Sequence, residues 1–425
     1  MLKFRENFFS CEELREIRKK FKYVEKDIHG NKRLFFDNAG GSLRLIRASD
    51  RFKEIDEIPD ASEHTNKVAL ELLDIENQGR ANMRMFFNAK RGTIATGYTA
   101  SQLMMEAVRI ISGYVKGTNC VTTILEHPSS FDAMKMYAEK YGRELRIAKA
   151  NKETGGIDPS SILSLIDRDT AILSVMSASN ISGYIMDINT IFTEARKINP
   201  NIIIISDAVQ HAPHGFLDPE KFDIDVMNIA PYKFFGIRGF SIMYLSDRVS
   251  TLTHHRLLGK ASDDWEIGSP GTGHFAAFSE IMDYVCFLGK KKNQDETDRR
   301  KLFEAGMTRI ANHERAILEL MLEGNDSTEG LRYIKGIKVK MDDKDLMHRD
   351  LIIGIEFLNM DCKSARDELD KRGVIAFERA NDSIYSKRMV EQFDSEGMVR
   401  ISPLHVNTPE EIEQFLQIVK EISLL

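Results

Sequence analysis

The chain has 425 residues and a net charge of -6, and 42% of its residues are hydrophobic and 29% are charged. This composition is typical of a globular protein, the length favours two domains, and the charge balance gives no electrostatic case for a nucleic-acid partner. The N-terminus is charged throughout, and no apolar run is long enough to cross a bilayer. We therefore expect a cytoplasmic protein without a membrane partner.

The four cysteines give no sign of a metal centre. Cys11, Cys120, Cys286 and Cys362 have no CxxC spacing and form no cluster with histidines. We expect them to be reduced and structural, and we predict no metal site.

Short apolar runs alternate with helical or loop segments from about residue 80 to 250. The runs are "GTIATG", "CVTTILEH", "ELRIAKA", "AILSVMSAS", "NIIIISDA", "VMNIAP" and "FSIMYLS". This alternation predicts a mostly parallel sheet with helices on both faces. The run "NIIIIS" is apolar on consecutive residues, which indicates a strand buried on both faces.

Long charged helical patterns follow Pro270, and residues 279–323 predict one or two extended amphipathic helices. From about residue 330 short strands and helices mix, which indicates a smaller α+β domain. We expect an N-terminal segment, 1–45, that packs with the small domain. A large cofactor-binding domain, 46–290, and a small C-terminal domain, 291–425, would follow it.

Polar side chains stand at the carboxyl ends of the predicted strands. In chain order they are Gly97-Tyr98-Thr99, Glu126-His127, Asn180, Asp207 with Gln210, and Tyr232-Lys233. Because an open parallel sheet binds ligands at this edge, these side chains should lie together. A glycine turn that leads into a helix, an imidazole, an amide, a carboxylate and a lysine could together hold pyridoxal phosphate.

The needs of this cofactor suggest a role for each residue. Lys233 can form the Schiff base, Asp207 can hold the proton on the pyridine nitrogen, and His127 can stack on the ring; these three are the candidate catalytic residues. Asn180 and Gln210 would bind the ring phenolate, while the backbone of Gly97, Tyr98 and Thr99 would bind the phosphate.

Each residue taken singly has an ordinary alternative. A lysine such as the one in "APYKFFGIRG" is usually exposed, a lone aspartate at a strand end often caps a helix, and a lone histidine often packs in the core. "TGYTAS" is a looser pattern than a Walker loop. The occurrence of these residue types in one order at successive strand ends favours the cofactor site.

Eight segments together resemble one enzyme family. They are "FFDNAG", "TGYTAS", "EHPSS", "SDAVQHAPH", "APYKFFGIRG", "WEIGSPGT", "ANHE" and "VRISPLHVNTPEEIEQFL". Residues 33 to 420 resemble the class V aminotransferases of the fold-type I pyridoxal-phosphate enzymes, and most closely their cysteine-desulfurase-like branch. The resemblance implies an α/β fold with a mostly parallel, seven-stranded type of sheet sandwiched by helices, and a smaller α+β C-terminal domain.

The resemblance also implies roles for further residues. Lys233 would carry the cofactor, and Arg400 would bind the substrate α-carboxylate, a task that suits a guanidinium fork. The segment Asn38, Ala39 and Gly40 would contact the substrate. Two subunits of a homodimer would share each active site, with Ser269 reaching the phosphate of the partner chain.

Two departures from the family pattern alter these expectations. Ala230-Pro-Tyr-Lys replaces Ser-x-His-Lys, so Tyr232 is expected to supply a hydroxyl to the phosphate. Cysteine desulfurases carry their persulfide-forming cysteine in the loop that corresponds to 380–396, and this loop has none. Tyr385 stands roughly at that place and could orient a substrate, so persulfide chemistry is not expected.

The sequence leaves several activities open. We expect a small amino acid to react through an external aldimine and a Cα quinonoid, with a transferase favoured and a β-lyase or an epimerase as alternatives. A non-catalytic binding module is a further alternative, and no G-x-G-x-x-G supports a dehydrogenase. Packing or surface roles are expected for the residues that could approach a distal acidic group, namely Arg44, Arg238, His211, His214, His254, His255 and Arg379.

Overall fold

A computed structural model describes residues 3–59 and 65–425 of the chain. The strands are β1 Leu34–Phe35, β2 Thr93–Gly97, β3 Asn119–Thr123, β4 Glu144–Ala148, β5 Thr170–Ser174, β6 Ile203–Asp207, β7 Val226–Ile229, β8 Ser241–Leu245, β9 Ile337–Lys340, β10 Ile353–Phe357, β11 Val374–Ile375, β12 Phe377–Ala380 and β13 Gly397–Ile401. The helices are α1 Cys11–Arg18, α2 Ile46–Asp56, α3 Lys67–Phe86, α4 Ala100–Tyr114, α5 Pro128–Lys140, α6 Pro159–Leu163, α7 Ile188–Ile198, α8 Thr272–Lys290, α9 Arg299–Glu323, α10 Cys362–Lys371, α11 Lys387–Glu391 and α12 Pro409–Ile422.

The larger sheet has seven strands in the order β2-β8-β7-β6-β5-β3-β4. Its neighbours from β7 to β4 are parallel, whereas β8 runs antiparallel to both β7 and β2. The predicted mostly parallel, helix-flanked α/β sheet is therefore confirmed. All five residues of β6 are buried, as its apolar run indicates.

Strand direction brings the carboxyl ends of several strands to one edge of this sheet. Because β8 is antiparallel to both its neighbours, β2 points the same way as β7. The carboxyl ends of β2, β3, β5, β6 and β7 therefore meet at one edge, where the following loops begin.

The smaller sheet is antiparallel, in the order β12-β13-β10-β9, and β1 pairs separately with β11. The apolar face of the smaller sheet packs against α12 and the end of α9, with Leu320, Ile355 and Phe415 in one buried cluster. The long helical pattern after Pro270 forms two helices, α8 and α9, and we propose that the domain boundary falls between them.

The first residues of the described chain contact α9 and α12. The backbone N–H groups of Lys3 and Phe4 donate to the Glu319 carboxylate at 2.7 and 2.8 Å. Arg18, at the end of α1, pairs with Glu411 at 2.8 Å. These bonds hold the N-terminal segment against the side of the molecule that carries the smaller sheet.

In the parts of the chain that the structure describes, no helix has both the length and the apolar character needed to cross a membrane. The same residues contain no group of three or more His, Cys, Asp or Glu side chains arranged to bind a metal ion.

Candidate active site

A cavity of about 210 Å³ lies at the carboxyl edge of the larger sheet. Seven of the residues predicted from the sequence line it: Thr99, His127, Asn180, Asp207, Gln210, Tyr232 and Lys233. The other lining residues are Ala100, Ser101, Ser129, Met176, Ala178, Val209, Ala230 and Arg238. The strand ends thus bring together an amine, a carboxylate, an imidazole and two amides.

Lys233 enters the cavity from a single 3-10 turn, Pro231–Lys233, directly after β7. Its Nζ donates to Gln210 Oε1 at 3.3 Å. Burial, together with the charge of Arg400, lowers the pKa of Lys233 to about 7. A substantial fraction of the amine is therefore neutral at neutral pH, as a nucleophile or a proton carrier requires.

Asp207 is the last residue of β6, and only 8% of it is exposed. Its Oδ1 accepts the N–H of Val209 at 3.0 Å, and its Oδ2 accepts the Ser130 hydroxyl at 3.3 Å. Burial raises its pKa, so a cation or a charged N–H in the cavity would stabilise the carboxylate.

A second carboxyl, Glu126, is fully buried beside Asp207. Its Oε1 accepts from the Met176 N–H and the Thr123 hydroxyl, both at 2.9 Å, while Oε2 has no partner among the described residues. Burial raises the pKa of Glu126 to about 8, so it is mostly neutral at pH 7. The sequence placed Glu126 at a strand end but gave it no role.

His127 caps the N-terminus of α5. Its Nδ1 accepts the N–H of Ser129 at 3.2 Å, which leaves the proton of the neutral ring on Nε2. Burial, with a contribution from Lys233, lowers the pKa of His127 to about 4. The ring is therefore neutral, as suits stacking on an aromatic ligand.

The N-terminus of α4 forms part of the cavity wall and is a candidate anion site. Thr99 is its cap, and the Thr99 hydroxyl accepts the N–H of Gln102 at 3.1 Å. The N–H groups of Ala100 and Ser101, both in the cavity wall, have no intrahelical partner and can bind a phosphate.

Gly97 and Tyr98 do not line the cavity. A Cβ at Gly97 would come within 2.8 Å of the Leu103 side chain, so glycine is needed where β2 passes α4. The Tyr98 side chain is 76% exposed. Of the three predicted phosphate residues, the structure brings only Thr99 into the site.

Arg238 lies beside Tyr232 at the cavity wall, with its guanidinium 4.2 Å from the ring centroid. The sequence assigned Arg238 a surface or packing role. The structure gives it a position next to the anion site, where its charge adds to that of the α4 N-terminus.

Arg400, on β13, reaches the site from the smaller sheet and is only 2% exposed. It donates to Asp37 Oδ1 at 2.7 Å and to the carbonyl oxygen of Asn180 at 3.1 Å. The Asn180 Oδ1 itself is buried without a partner among the described residues, so it is free to accept from a ligand.

The segment before α2 holds the two sheets together. The Asn38 amide donates to the carbonyl oxygens of Phe35 and Ser402 and accepts the Leu43 N–H, and the Ala39 N–H donates to the Ser402 hydroxyl. The N–H of Gly40 donates to the carbonyl oxygen of Asp37. These residues shape the turn that presents Asp37 to Arg400.

The loop that contains Tyr385 covers the outer side of His127. The two rings lie 6.4 Å apart between centroids and 28° from parallel, and Tyr385 is 54% exposed. Arg388, which sequence reasoning missed, donates to the carbonyl oxygens of Ile124 and Glu126 and lies 3.8 Å from the centroid of the Phe131 ring. Arg388 thereby ties this loop to the turn that bears His127.

Besides Gly97 and Tyr98, the predicted residues that do not line the cavity are Asn38, Ala39, Gly40, Ser269, Tyr385 and Arg400, and Cys362 does not line it either. Ser269 borders a separate cleft with Arg80 and Glu266. Cys362 is partly buried at the start of α10, where a Cβ at Gly397 would collide with its Sγ. None of the residues that line the cavity is a cysteine.

Comparisons with known proteins agree with this fold. The family model described as Aminotransferase class-V matches residues 34–415. The chain is 24% identical to a probable cysteine desulfurase of Borreliella burgdorferi, over 97% of this chain and 98% of the relative. It is 22% identical to a probable cysteine desulfurase of Synechocystis, over 94% and 93% of the two chains.

Solved structures share the architecture at low sequence identity. The apo cysteine desulfurase from Thermococcus onnurineus matches with a TM-score of 0.79 at 18% identity, over 96% of this chain and 98% of that chain. The cysteine desulfurase CsdA of Escherichia coli matches with a TM-score of 0.78 at 16% identity, over 97% and 98%. Because the family model spans most of its length, the chain belongs to the class-V aminotransferases, enzymes of fold type I that depend on pyridoxal phosphate.

Proposed function

We propose that this protein uses pyridoxal phosphate, attached to Lys233, to transform a small amino acid at its Cα. The observation that carries the proposal is the convergence of Lys233, Asp207 and His127 on one cavity. A scaffold without catalytic activity would need none of these three groups in that place.

The chemistry of the cavity fits the cofactor. The N–H groups of Ala100 and Ser101 would hold the phosphate, the neutral His127 ring would stack on the pyridine, and Asp207 would accept its N–H. Tyr232 would add its hydroxyl to the phosphate end. When bound, the cofactor supplies an aldehyde for the amino group and a ring that withdraws electrons from Cα.

The neutral state of Glu126 supports Asp207 as the carboxyl that would pair with the pyridine ring. Two adjacent ionised carboxylates would repel each other, and burial keeps Glu126 mostly neutral at pH 7. Burial raises the pKa of Asp207 as well, but a charged pyridine N–H beside it would stabilise its ionised form, so Asp207 would be the carboxylate that pairs with the ring.

Lys233 is the group that would move the Cα proton. Its pKa of about 7 lets the amine accept and return a proton at neutral pH. Gln210 accepts a hydrogen bond from the Lys233 amine and so orients this amine in the cavity.

Arg400 would bind the substrate α-carboxylate. Its Nε is buried without a hydrogen-bond partner among the described residues, although its other nitrogens reach Asp37 and Asn180. An incoming carboxylate could satisfy this nitrogen.

We favour a transferase, with a β-lyase as the second candidate and an epimerase as a further alternative. The names of the relatives, which are cysteine desulfurases, support C–S bond chemistry as the second candidate. Analysis of the products separates the three activities. A transferase yields an oxo acid and a new amino acid, a β-lyase yields pyruvate and ammonia, and an epimerase yields the opposite enantiomer.

The test of the cofactor assignment is borohydride reduction of the purified protein, followed by peptide mass spectrometry. A pyridoxyl group is expected on Lys233, with loss of the visible absorbance band. Lys233→Ala should abolish both signals, whereas Lys335→Ala, at an exposed lysine, should leave them unchanged. A reducible cofactor that persists in Lys233→Ala would refute the proposal.

We also propose a homodimer with shared active sites. Ser269 lies on a loop with large exposed apolar side chains, Leu258 at 97% and Ile267 at 67% exposed, as expected of a surface that a second subunit covers. Sedimentation should show a dimer, and Leu258→Asp should weaken it. A fully active monomer would contradict shared sites.

A further inference from the structure

Two arginines extend toward the site from one face of the smaller sheet. In the antiparallel pairing of β12 with β13, Arg400 lies opposite Phe377 and Arg379 lies opposite Met398. Because Phe377 and Arg379 are two residues apart, the two arginines share a face at diagonal positions, about 7–8 Å apart. Arg379 is 7% exposed, so of the surface or packing roles expected from the sequence the structure gives it a buried position, beside Arg400.

Arg379 lacks the carboxylate partner that Arg400 has. Its one hydrogen bond to the protein among the described residues runs from Nη2 to the carbonyl oxygen of Tyr385, at 2.9 Å. Its Nε is buried without a partner, and no described carboxylate lies within ion-pair distance. Burying a guanidinium in this way is costly unless an anion joins it.

The position of Arg379 relative to the cavity follows from its neighbours. It bonds the backbone of Tyr385, whose ring lies against His127. Its positive charge helps to lower the pKa values of Lys233 and His127, as a cation close to both would. Arg379 therefore lies on the side of the cavity that His127 forms.

Of the three arginines in this region, only Arg400 is paired directly with a carboxylate among the described residues. Arg379, Arg388 and Arg400 contribute three positive charges, and Asp37 contributes one negative charge. Three other carboxyls act on these arginines at longer range: Glu126, which is mostly neutral because burial raises its pKa to about 8, Asp132, and Glu378, which pairs with Arg366 at 3.3 Å. If the α-carboxylate of a substrate pairs with Arg400, Arg379 is still left without a carboxylate partner within ion-pair distance among the described residues.

Building on the proposed function, we infer that Arg379 binds a second anionic group of the substrate. The substrate is therefore an amino acid whose side chain ends in a carboxylate or another oxyanion. Arg400 holds the α-carboxylate and Arg379 the distal group, so both ends of the molecule are fixed above the cavity. A guanidinium fork is suited to either anion.

The first experiment compares acids with their own amides on the unmodified holoenzyme. L-Aspartate and L-asparagine form one pair, and L-glutamate and L-glutamine form the other, each titrated while the visible absorbance of the bound cofactor is recorded. In at least one pair the acid should bind at least about tenfold more tightly, since bonds to a charged group contribute about 1.5–3 kcal/mol. Equal or tighter binding of the amide in both pairs overturns the inference.

A second experiment tests whether the preference for the acid over its amide depends on Arg379. Arg379→Gln should weaken binding of the preferred acid by about 10–100-fold and change binding of its amide by less than about threefold. Arg379→Lys, which keeps the charge but not the fork, should retain part of the preference. The control is Arg366→Gln, the same change in an arginine on α10 that pairs with Asp367 and Glu378, and it should have no effect.

The outcomes separate this inference from the proposed function. If no cofactor is attached to Lys233, or if no amino acid changes its spectrum, both are wrong. If the spectrum responds best to neutral amino acids, or if Arg379→Gln binds acid and amide as the unmodified protein does, only this inference is wrong. Should Arg379→Gln lose its cofactor, the comparison of acids with amides on the unmodified protein decides alone.

Discussion

A buried ion pair joins the segment after β6 to α9, and its removal should destabilise the protein in a pH-dependent way. His214 Nδ1 lies 2.7 Å from Glu314 Oε2, and each residue is no more than 6% exposed. Burial alone would lower the pKa of His214, but the charges of Glu314 and Asp350 outweigh it and raise the value to about 9. The Glu314 pKa, despite burial, falls to about 2 beside His214.

The loss of unfolding free energy expected for Glu314→Gln follows from the shift in the His214 pKa. A rise from 6.5 to about 9 corresponds to about 3 kcal/mol of unfolding free energy. A glutamine at this position can still accept the His405 N–H, which Glu314 Oε1 accepts at 3.1 Å, so the change removes mainly the charge. With about 2.1 cal/mol/K per residue over 425 residues, the melting temperature should fall by about 3 °C.

The directions of the two pKa shifts determine how the stabilising effect of the pair depends on pH. Because the folded-state pKa of His214 is raised, its stabilising effect is complete below pH 6.5 and is lost as the pH rises through about 9. The Glu314 pKa is lowered, so its effect is complete above pH 4.5 and is lost as the pH falls toward about 2. The effect of Glu314→Gln should therefore be full at pH 6.0 and small at pH 9.5.

The assay is differential scanning calorimetry of the holoenzyme and its variants at both pH values. Glu194→Gln is the control, because Glu194 pairs with Lys197 on the surface at 2.6 Å. Such an exposed pair contributes about 0.5 kcal/mol or less, so its loss should lower the melting temperature by less than about 1 °C. An equal loss for Glu314→Gln at pH 6.0 and pH 9.5, or a loss no larger than that of the control, would refute the reasoning.

Three further predictions concern the site. Asp207→Asn should keep the cofactor on Lys233 but lower turnover by about 100-fold or more, because the charge opposite the pyridine nitrogen is lost; unchanged initial rates would contradict its role. Arg388→Gln should release the Tyr385 loop from the carbonyl oxygens of Ile124 and Glu126 and raise KM by about tenfold with kcat nearly constant, whereas an unaltered KM would exclude a positioning role. Incubation with L-cysteine should leave no persulfide on the protein by mass spectrometry, and any sulfide should appear with pyruvate; a persulfide on Cys362 with stoichiometric alanine would reverse this conclusion.

Strand direction explains why so much of the cavity could be predicted. Lys233, Asp207, Asn180 and His127 each follow a strand whose carboxyl end faces the same edge, and parallel order alone brings them together. The apolar run of β6 and the lysine after β7 are local signals that need no knowledge of tertiary contacts.

The positions of other residues could not be predicted, because they depend on contacts that the sequence does not contain. Tyr98 follows a strand end, as Thr99 does, yet it is 76% exposed because the chain turns there into the cap of α4. Arg379 lies beside Arg400 only through the register of β12 on β13, and a shift of one residue would put it on the opposite face. An arginine in a charged segment is usually exposed, so pattern alone does not show that Arg379 is buried.

The Tyr385 loop illustrates how function can diverge on a shared fold. A persulfide carrier needs a thiolate that can swing between the substrate and an acceptor, whereas this loop has no thiol and is anchored by Arg388 to the turn of His127. The Cys362 thiol is a poor substitute, since burial raises its pKa and it packs beside Gly397. We propose that the loop, fixed at both Arg379 and Arg388, instead holds an anionic side chain of the substrate beside the cavity. A substrate fixed in this way would have one particular Cα bond aligned with the ring, and that alignment would determine the reaction.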